Sequence, residues 1–258
     1  MTPLLRIACA VILLLSTACV PGGGAATKIP FEQKLASKNN SEKVLVVVLP
    51  GRGDDVANLK ASGIADAIQN AMPEADVVLT GISLAYYMEG RMPARLHEEI
   101  IAPARARGYK EIWLAGASMG GMGVLMYDRE YPGDATGLVL LAPYLGGRKV
   151  LKQINEAGGL ANWDAGPVPA AVDGNNFDRE LWRYLKTWQN QNKARSNHVW
   201  LAYGEGDRLS AVMPPLQKLL KPEHIFVREG GHAWVVWTPA AKEIFTVIES
   251  ERANSTSK

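Results

Sequence analysis

Glu111-Ile112-Trp113-Leu114-Ala115-Gly116-Ala117-Ser118-Met119-Gly120-Gly121 is the stretch on which the fold turns. Its first residues have strand composition, and from Gly121 to Glu130 the spacing becomes helical. Between the two stands the pattern G-x-S-x-G. By composition alone that pattern arises in roughly one unrelated chain in ten, with Gly and Ser each near 7%; its position between a strand and a helix is what gives it meaning. A turn that tight leaves no room for side chains two residues before and two after the serine, where Gly116 and Gly120 stand. It lifts the Ser118 hydroxyl clear of the sheet, and it brings the first backbone N–H groups of the helix, Met119's among them, toward the atom the serine attacks.

Outward from this turn, short β-branched runs alternate with longer helix-compatible stretches. The candidate strands are Val44 to Leu49, Asp76 to Leu79, Glu111 to Ala115, Gly137 to Leu141, His198 to Tyr203 and Ile225 to Arg228. Such alternation predicts an α/β fold: a doubly wound, mostly parallel sheet of about six strands with helices on both faces. Ile64 to Met72, Ala94 to Arg107, Gly121 to Glu130, Met213 to Leu220 and Pro239 to Glu249 read as helices, the second kinked by Pro103. Residues 146–197 are far more chain than a crossover needs, so they form an insertion placed to cap the crevice beyond the strand ends. Its helix runs from Asp178 to Gln189. Its Trp163, Trp182 and Trp188 either line that crevice or seal the insertion onto the core, the latter being the usual fate of a tryptophan.

A serine hydroxyl needs a base to take its proton, and only four histidines are present. His97 lies in the helical stretch before the nucleophile strand, and His198 and His224 stand at strand beginnings, the wrong end of the sheet. His232 remains, in the glycine-bearing loop Glu229-Gly230-Gly231-His232 after the last strand, on the same edge as Ser118. A carboxylate to orient it is expected after a strand. Tyr203-Gly204-Glu205-Gly206-Asp207 supplies two, of which Asp207 opens the next loop and is preferred to the longer Glu205.

The order Ser118, Asp207, His232, each following a strand, resembles the α/β-hydrolase superfamily over residues 44–250. Pro50-Gly51-Arg52-Gly53 resembles that family's oxyanion loop, with proline where histidine is common. The resemblance implies a serine hydrolase that cleaves a carboxylic ester through an acyl-enzyme, with Met119 and Arg52 as backbone oxyanion donors and no metal or organic cofactor. The Arg52 side chain either binds an acidic group of the substrate or faces solvent. Lipase, thioesterase, peptidase and haloperoxidase chemistry share the same motif, and a non-catalytic binding module is the reading from another class. The family's N-terminal hairpin is expected to be missing, because Ala25 to Lys43 is short and polar.

The chain ends have their own logic. Arg6, the apolar run Ile7 to Leu15 and Ser16-Thr17-Ala18 before Cys19 read as an export signal, residues 1–18. It resembles a bacterial lipoprotein signal, which implies an acylated Cys19 tethered by a linker over residues 19–43, with Val20 pointing to an outer membrane. An ordinary cleaved signal or a short uncleaved anchor is the alternative; the first would leave the protein periplasmic or secreted. Cys9 and Cys19 are the only 2 cysteines, so the exported domain can form no internal disulfide. Residues 251–258 read as a polar tail. A formal net charge of +2 with interspersed signs argues against a nucleic-acid partner. The expected partners are a small or lipid-like acyl substrate and, through Cys19, a membrane.

Overall fold

The computed structural model describes residues 27–38 and 43–256. The expected signal and Cys19 lie outside the described residues.

Seven strands form one sheet in the order β1-β3-β2-β4-β5-β6-β7. They are β1 (Phe31–Lys34), β2 (Lys43–Leu49), β3 (Ala75–Thr80), β4 (Tyr109–Ala117), β5 (Gly137–Leu141), β6 (Val199–Gly204) and β7 (Ile225–Arg228). All pairings are parallel except β1 with β3. From Val44 onward β2 is buried at every residue, which is why its sequence is a continuous apolar run rather than an alternating one. The helices are α1 (Val56–Ala61), α2 (Ile64–Ala71), α3 (Leu84–Met88), α4 (Met92–Leu96), α5 (Ala102–Ala106), α6 (Met119–Glu130), α7 (Arg148–Glu156), α8 (Phe177–Thr187), α9 (Met213–Gln217) and α10 (Trp234–Thr256). On the sheet, α2 and α10 pack against each other, whereas α6 packs beside α4 and α8.

Three expectations are corrected and a fourth, at Pro103, is made specific. The sheet has a seventh strand, β1, inside the segment read as linker, so half of the supposedly missing hairpin is present. Phe-Glu-Gln-Lys gives no apolar alternation because an edge strand is covered by neither face: Phe31 is 50% exposed. It is held instead by Gln33, whose amide donates to Tyr109 (3.1 Å) and Asp76 (3.3 Å). The break at Pro103 takes the form of a π-helical turn, His97–Ile101, between α4 and α5. In a regular α-helix the proline ring would strike the carbonyl of Glu99, and the wider turn relieves that contact. The last helix starts at Trp234, before the expected Pro239, because the N–H groups of Val236 and Trp237 bond to the Ala233 carbonyl and close a turn ahead of the proline. Finally, the supposed polar tail is helical to Thr256, and Arg252 bonds to Glu111 at 2.9 Å and to Glu249 at 2.5 Å.

The insertion over residues 146–197 carries α7 and α8. Trp163, Trp182 and Trp188 are 2%, 1% and 1% exposed, so they seal the insertion rather than line a crevice. Trp182 donates its indole N–H to the Leu145 carbonyl (3.0 Å), and Tyr184 donates to Asp128 on α6 (2.5 Å).

Candidate active site

Register brings the working ends of the strands into line. Leu49 stands opposite Gly116, Ala117 opposite Leu141, Leu141 opposite Ala202, and Gly204 opposite Arg228. The loops after β2, β4, β6 and β7 therefore share one edge of the sheet, and each holds one of the expected residues.

Ser118 sits between β4 and α6 with φ 53° and ψ −113°, a left-handed conformation that strains a residue with a side chain. Such strain costs about 1–3 kcal/mol and survives only where its surroundings impose it. Here the Ser118 N–H donates to Leu141 (2.8 Å), while its carbonyl accepts from Tyr144 (2.8 Å) and Met122 (3.2 Å). The glycines are required by space. A Cβ at Gly116 would lie 2.4 Å from the Gly120 backbone, and one at Gly120 would lie 2.3 Å from the Leu49 carbonyl oxygen. Gly121, not singled out from the sequence, is confined in the same way by Pro143 at 2.8 Å. Met119 begins α6, so its N–H is one of the four that a helix start leaves without an intrahelical acceptor.

The loop after β2 turns tightly, with Asp54 N–H donating to Gly51 (3.2 Å) and Gly53 at φ 88°. A Cβ on Gly51 would come within 3.8 Å of the Ser118 Cβ, so this turn lies beside the serine. Arg52, in the middle of the turn, is exposed.

Two further loops are zipped together by backbone. Gly206 N–H donates to Gly230 (2.9 Å) and Glu205 N–H to Arg228 (2.8 Å). A Cβ at Gly204 would fall 2.3 Å from the Gly230 oxygen, and Gly230 itself needs φ 117°. This approach places His232 Nδ1 at 2.9 and 2.8 Å from the two oxygens of Asp207. Asp207 is 3% exposed and also accepts from the Leu209 N–H at 2.7 Å, whereas Glu205 is exposed. A carboxylate can only accept, so Nδ1 is the donor in this contact. Nε2 is buried and has no hydrogen-bond partner among the described residues, Ser118 included.

The other histidines are engaged elsewhere. His97 Nδ1 is 3.0 Å from the Tyr127 hydroxyl and 3.2 Å from Asp134, with its ring stacked on Tyr131. His224 donates to the Val199 carbonyl (3.1 Å) and stacks on Trp200, at the amino end of the sheet. His198 immediately precedes β6 at that same end.

Four further side chains around the site were not singled out from the sequence. Trp237 meets the His232 ring edge to face at 4.7 Å, and Trp234 meets Trp237 at 5.3 Å. Trp234 donates its indole N–H to Asp54 at 2.9 Å. Tyr87, on α3, donates to the Met119 carbonyl at 3.2 Å, and burial pushes its phenol far above the ordinary range. The two tryptophans five and two residues after His232 and before Pro239 were visible as an aromatic cluster, but not their partners.

No known family profile matches the chain, and no curated protein does. Solved structures do. The fluorophosphonate-binding serine hydrolase F (FphF) of Staphylococcus aureus is 12% identical, with 85% of this chain and 98% of that one covered at a TM-score of 0.60. The S-formylglutathione hydrolase FrmB of the same organism is 15% identical over 81% of this chain and 82% of its own, at 0.56. Est1E of Butyrivibrio proteoclasticus is 15% identical over 88% and 95%, at 0.53. Taken with the sheet order and the strained serine between β4 and α6, these likenesses show that the chain has the α/β-hydrolase fold.

Proposed function

We propose that the protein is a serine hydrolase that cleaves a carboxylic ester through an acyl-enzyme on Ser118. The observation that carries this is the Asp207–His232 pair, its Nε2 buried and without a hydrogen-bond partner among the described residues, on the same sheet edge as a serine held in a strained turn. Ser118 Oγ attacks the carbonyl carbon while His232 Nε2 takes its proton, and Asp207 stabilises the imidazolium without taking that proton. The N–H groups of Met119 and Arg52 receive the oxyanion. Collapse of the tetrahedral adduct expels the alcohol, which regains a proton from His232. Water then repeats the sequence on the acyl-enzyme and releases the acid. No cofactor is needed for any step.

An ester is the preferred substrate because an alkoxide leaves more readily than an amide anion, and an ester carbonyl is less resonance-stabilised than an amide. Two of the similar structures are described as an S-formylglutathione hydrolase and a ferulic acid esterase, which supports including thioester and aryl ester members in a substrate panel. Lipase, peptidase and haloperoxidase chemistry would be separated by the same panel. The acting location belongs to the proposal: the bacterial envelope, with residues 1–18 removed and Cys19 acylated.

The test is covalent labelling by a fluorophosphonate together with ester kinetics on the parent, Ser118→Ala and His232→Ala. The parent is expected to label and turn over; the variants should lose about 10⁶-fold in kcat, as in other triads. A folded parent that neither labels nor hydrolyses any member of the panel would overturn the enzyme reading in favour of a binding module.

A further inference from the structure

We propose that Asp54 and Trp234 are positioning residues that lock the oxyanion loop to the loop carrying the base; this inference rests on the serine-hydrolase reading above. The two residues are separated by 180 positions, yet the Trp234 indole N–H donates to Asp54 Oδ2 at 2.9 Å. A bond from a neutral donor to an ionised carboxylate is stronger than one between neutral groups. The same Oδ2 lies 3.0 Å from where a Cβ of Gly51 would stand, and that Cβ would lie 3.8 Å from Ser118 Cβ. Asp54 thus fills the flank of the turn that presents Arg52 N–H. At its other end, Trp234 packs edge to face on Trp237, and Trp237 packs edge to face on His232. One continuous chain of contacts therefore runs Asp54, Trp234, Trp237, His232, from the turn beside the serine to the base.

The bond ties the oxyanion loop directly to the start of the helix that follows the base. The His232 loop is tied to the Asp207 loop by Gly206–Gly230 and by the carboxylate, and both of those anchors lie on the β6–β7 side. The Gly51–Asp54 turn belongs to β2, two strands away in the sheet from β5 and farther from β7. Asp54–Trp234 spans that distance. Oxyanion donor and base must both be in place in the same transition state, and a displacement on the order of 1 Å in either costs about 100-fold. A second bond ties the same helix to the segment after β2, from the Thr238 hydroxyl to the Ser62 carbonyl at 3.1 Å, farther along α10. It provides the structural control.

The experiment compares Asp54→Ala, Asp54→Asn, Trp234→Phe, the Asp54→Ala/Trp234→Phe double variant and Thr238→Val with the parent, on the full chain. The readouts are kcat and KM for one ester, affinity for a boronic acid that forms a tetrahedral adduct, and thermal melting. Asp54→Ala and Trp234→Phe are expected to lower kcat by about 10- to 100-fold with KM within about twofold. Boronate affinity should fall in parallel with kcat. The double variant should be no worse than either single one. Asp54→Asn retains an acceptor oxygen and should recover most of kcat, and Thr238→Val should shift melting but not kcat. Singles whose losses multiply in the double variant, losses confined to KM, or losses that track melting in all variants would overturn the positioning role. If the parent hydrolyses and Ser118→Ala does not, such results sink this inference alone; an inactive parent sinks the enzyme reading and this inference with it.

Discussion

At the scale of single residues, the site depends on a few backbone conformations. Ser118 at φ 53° is held by three backbone hydrogen bonds, and the space beside it admits no Cβ at Gly116 or Gly120. The proposed donor at Arg52 can be tested without touching its side chain. Arg52 occupies the second position of a four-residue turn, where proline is favoured, and proline lacks the N–H. Arg52→Pro is expected to lower kcat by about 10²- to 10³-fold, the usual loss for one oxyanion donor, with a melting temperature near the parent's. Arg52→Ala keeps the N–H and should retain kcat on neutral esters. If Arg52→Pro is as active as Arg52→Ala, the second donor lies elsewhere.

Among the elements, the two ends of the sheet divide the labour. The carboxyl ends hold Ser118, Asp207 and His232, whereas His224, at the amino end of β7, is a packing residue 1% exposed. Burial holds its imidazole below the ordinary value of 6.5, so it stays neutral in the fold while the unfolded chain takes up a proton. The contribution to stability is present above that value and is lost as pH falls below it. Melting measured from pH 7.5 down to about 5 should show a decline that His224→Gln reduces, since glutamine keeps a donor for the Val199 carbonyl without titrating. An unchanged decline in the variant would place the acid sensitivity in other groups. A polar edge strand behaves differently from core strands: Phe31–Lys34 owes its structure to its pairing with β3, which explains why it was read as linker.

For the molecule as a whole, the domain's first described residues are anchored firmly. Ile29 is 4% exposed and its N–H donates to Glu99 at 2.7 Å, while Tyr86 holds the Thr27 carbonyl at 3.2 Å. Eight residue steps lead from Cys19 to Thr27, a reach of at most about 29 Å. An acylated Cys19 would therefore keep the domain close to the bilayer. Growth with a labelled fatty acid should mark the parent and leave Cys19→Ala unmarked; an unmarked parent would make the leader an ordinary signal or an uncleaved anchor. The α/β class, all six core strands to within two residues at each end, the glycine-flanked turn and the placing of Ser118, Asp207 and His232 in loops after strands were legible in the chain. They are local consequences of burial on both faces and of a turn with no room for side chains, and such constraints mark the residues that obey them. The sequence already preferred Asp207 to Glu205, but the burial of Asp207 against the imidazole, with Glu205 left exposed, needed the structure. So did β1, the burial of Trp163, Trp182 and Trp188, and the bond between Asp54 and Trp234. Contacts between segments 180 residues apart leave no periodicity in either one, and only the closing of the sheet brings them together.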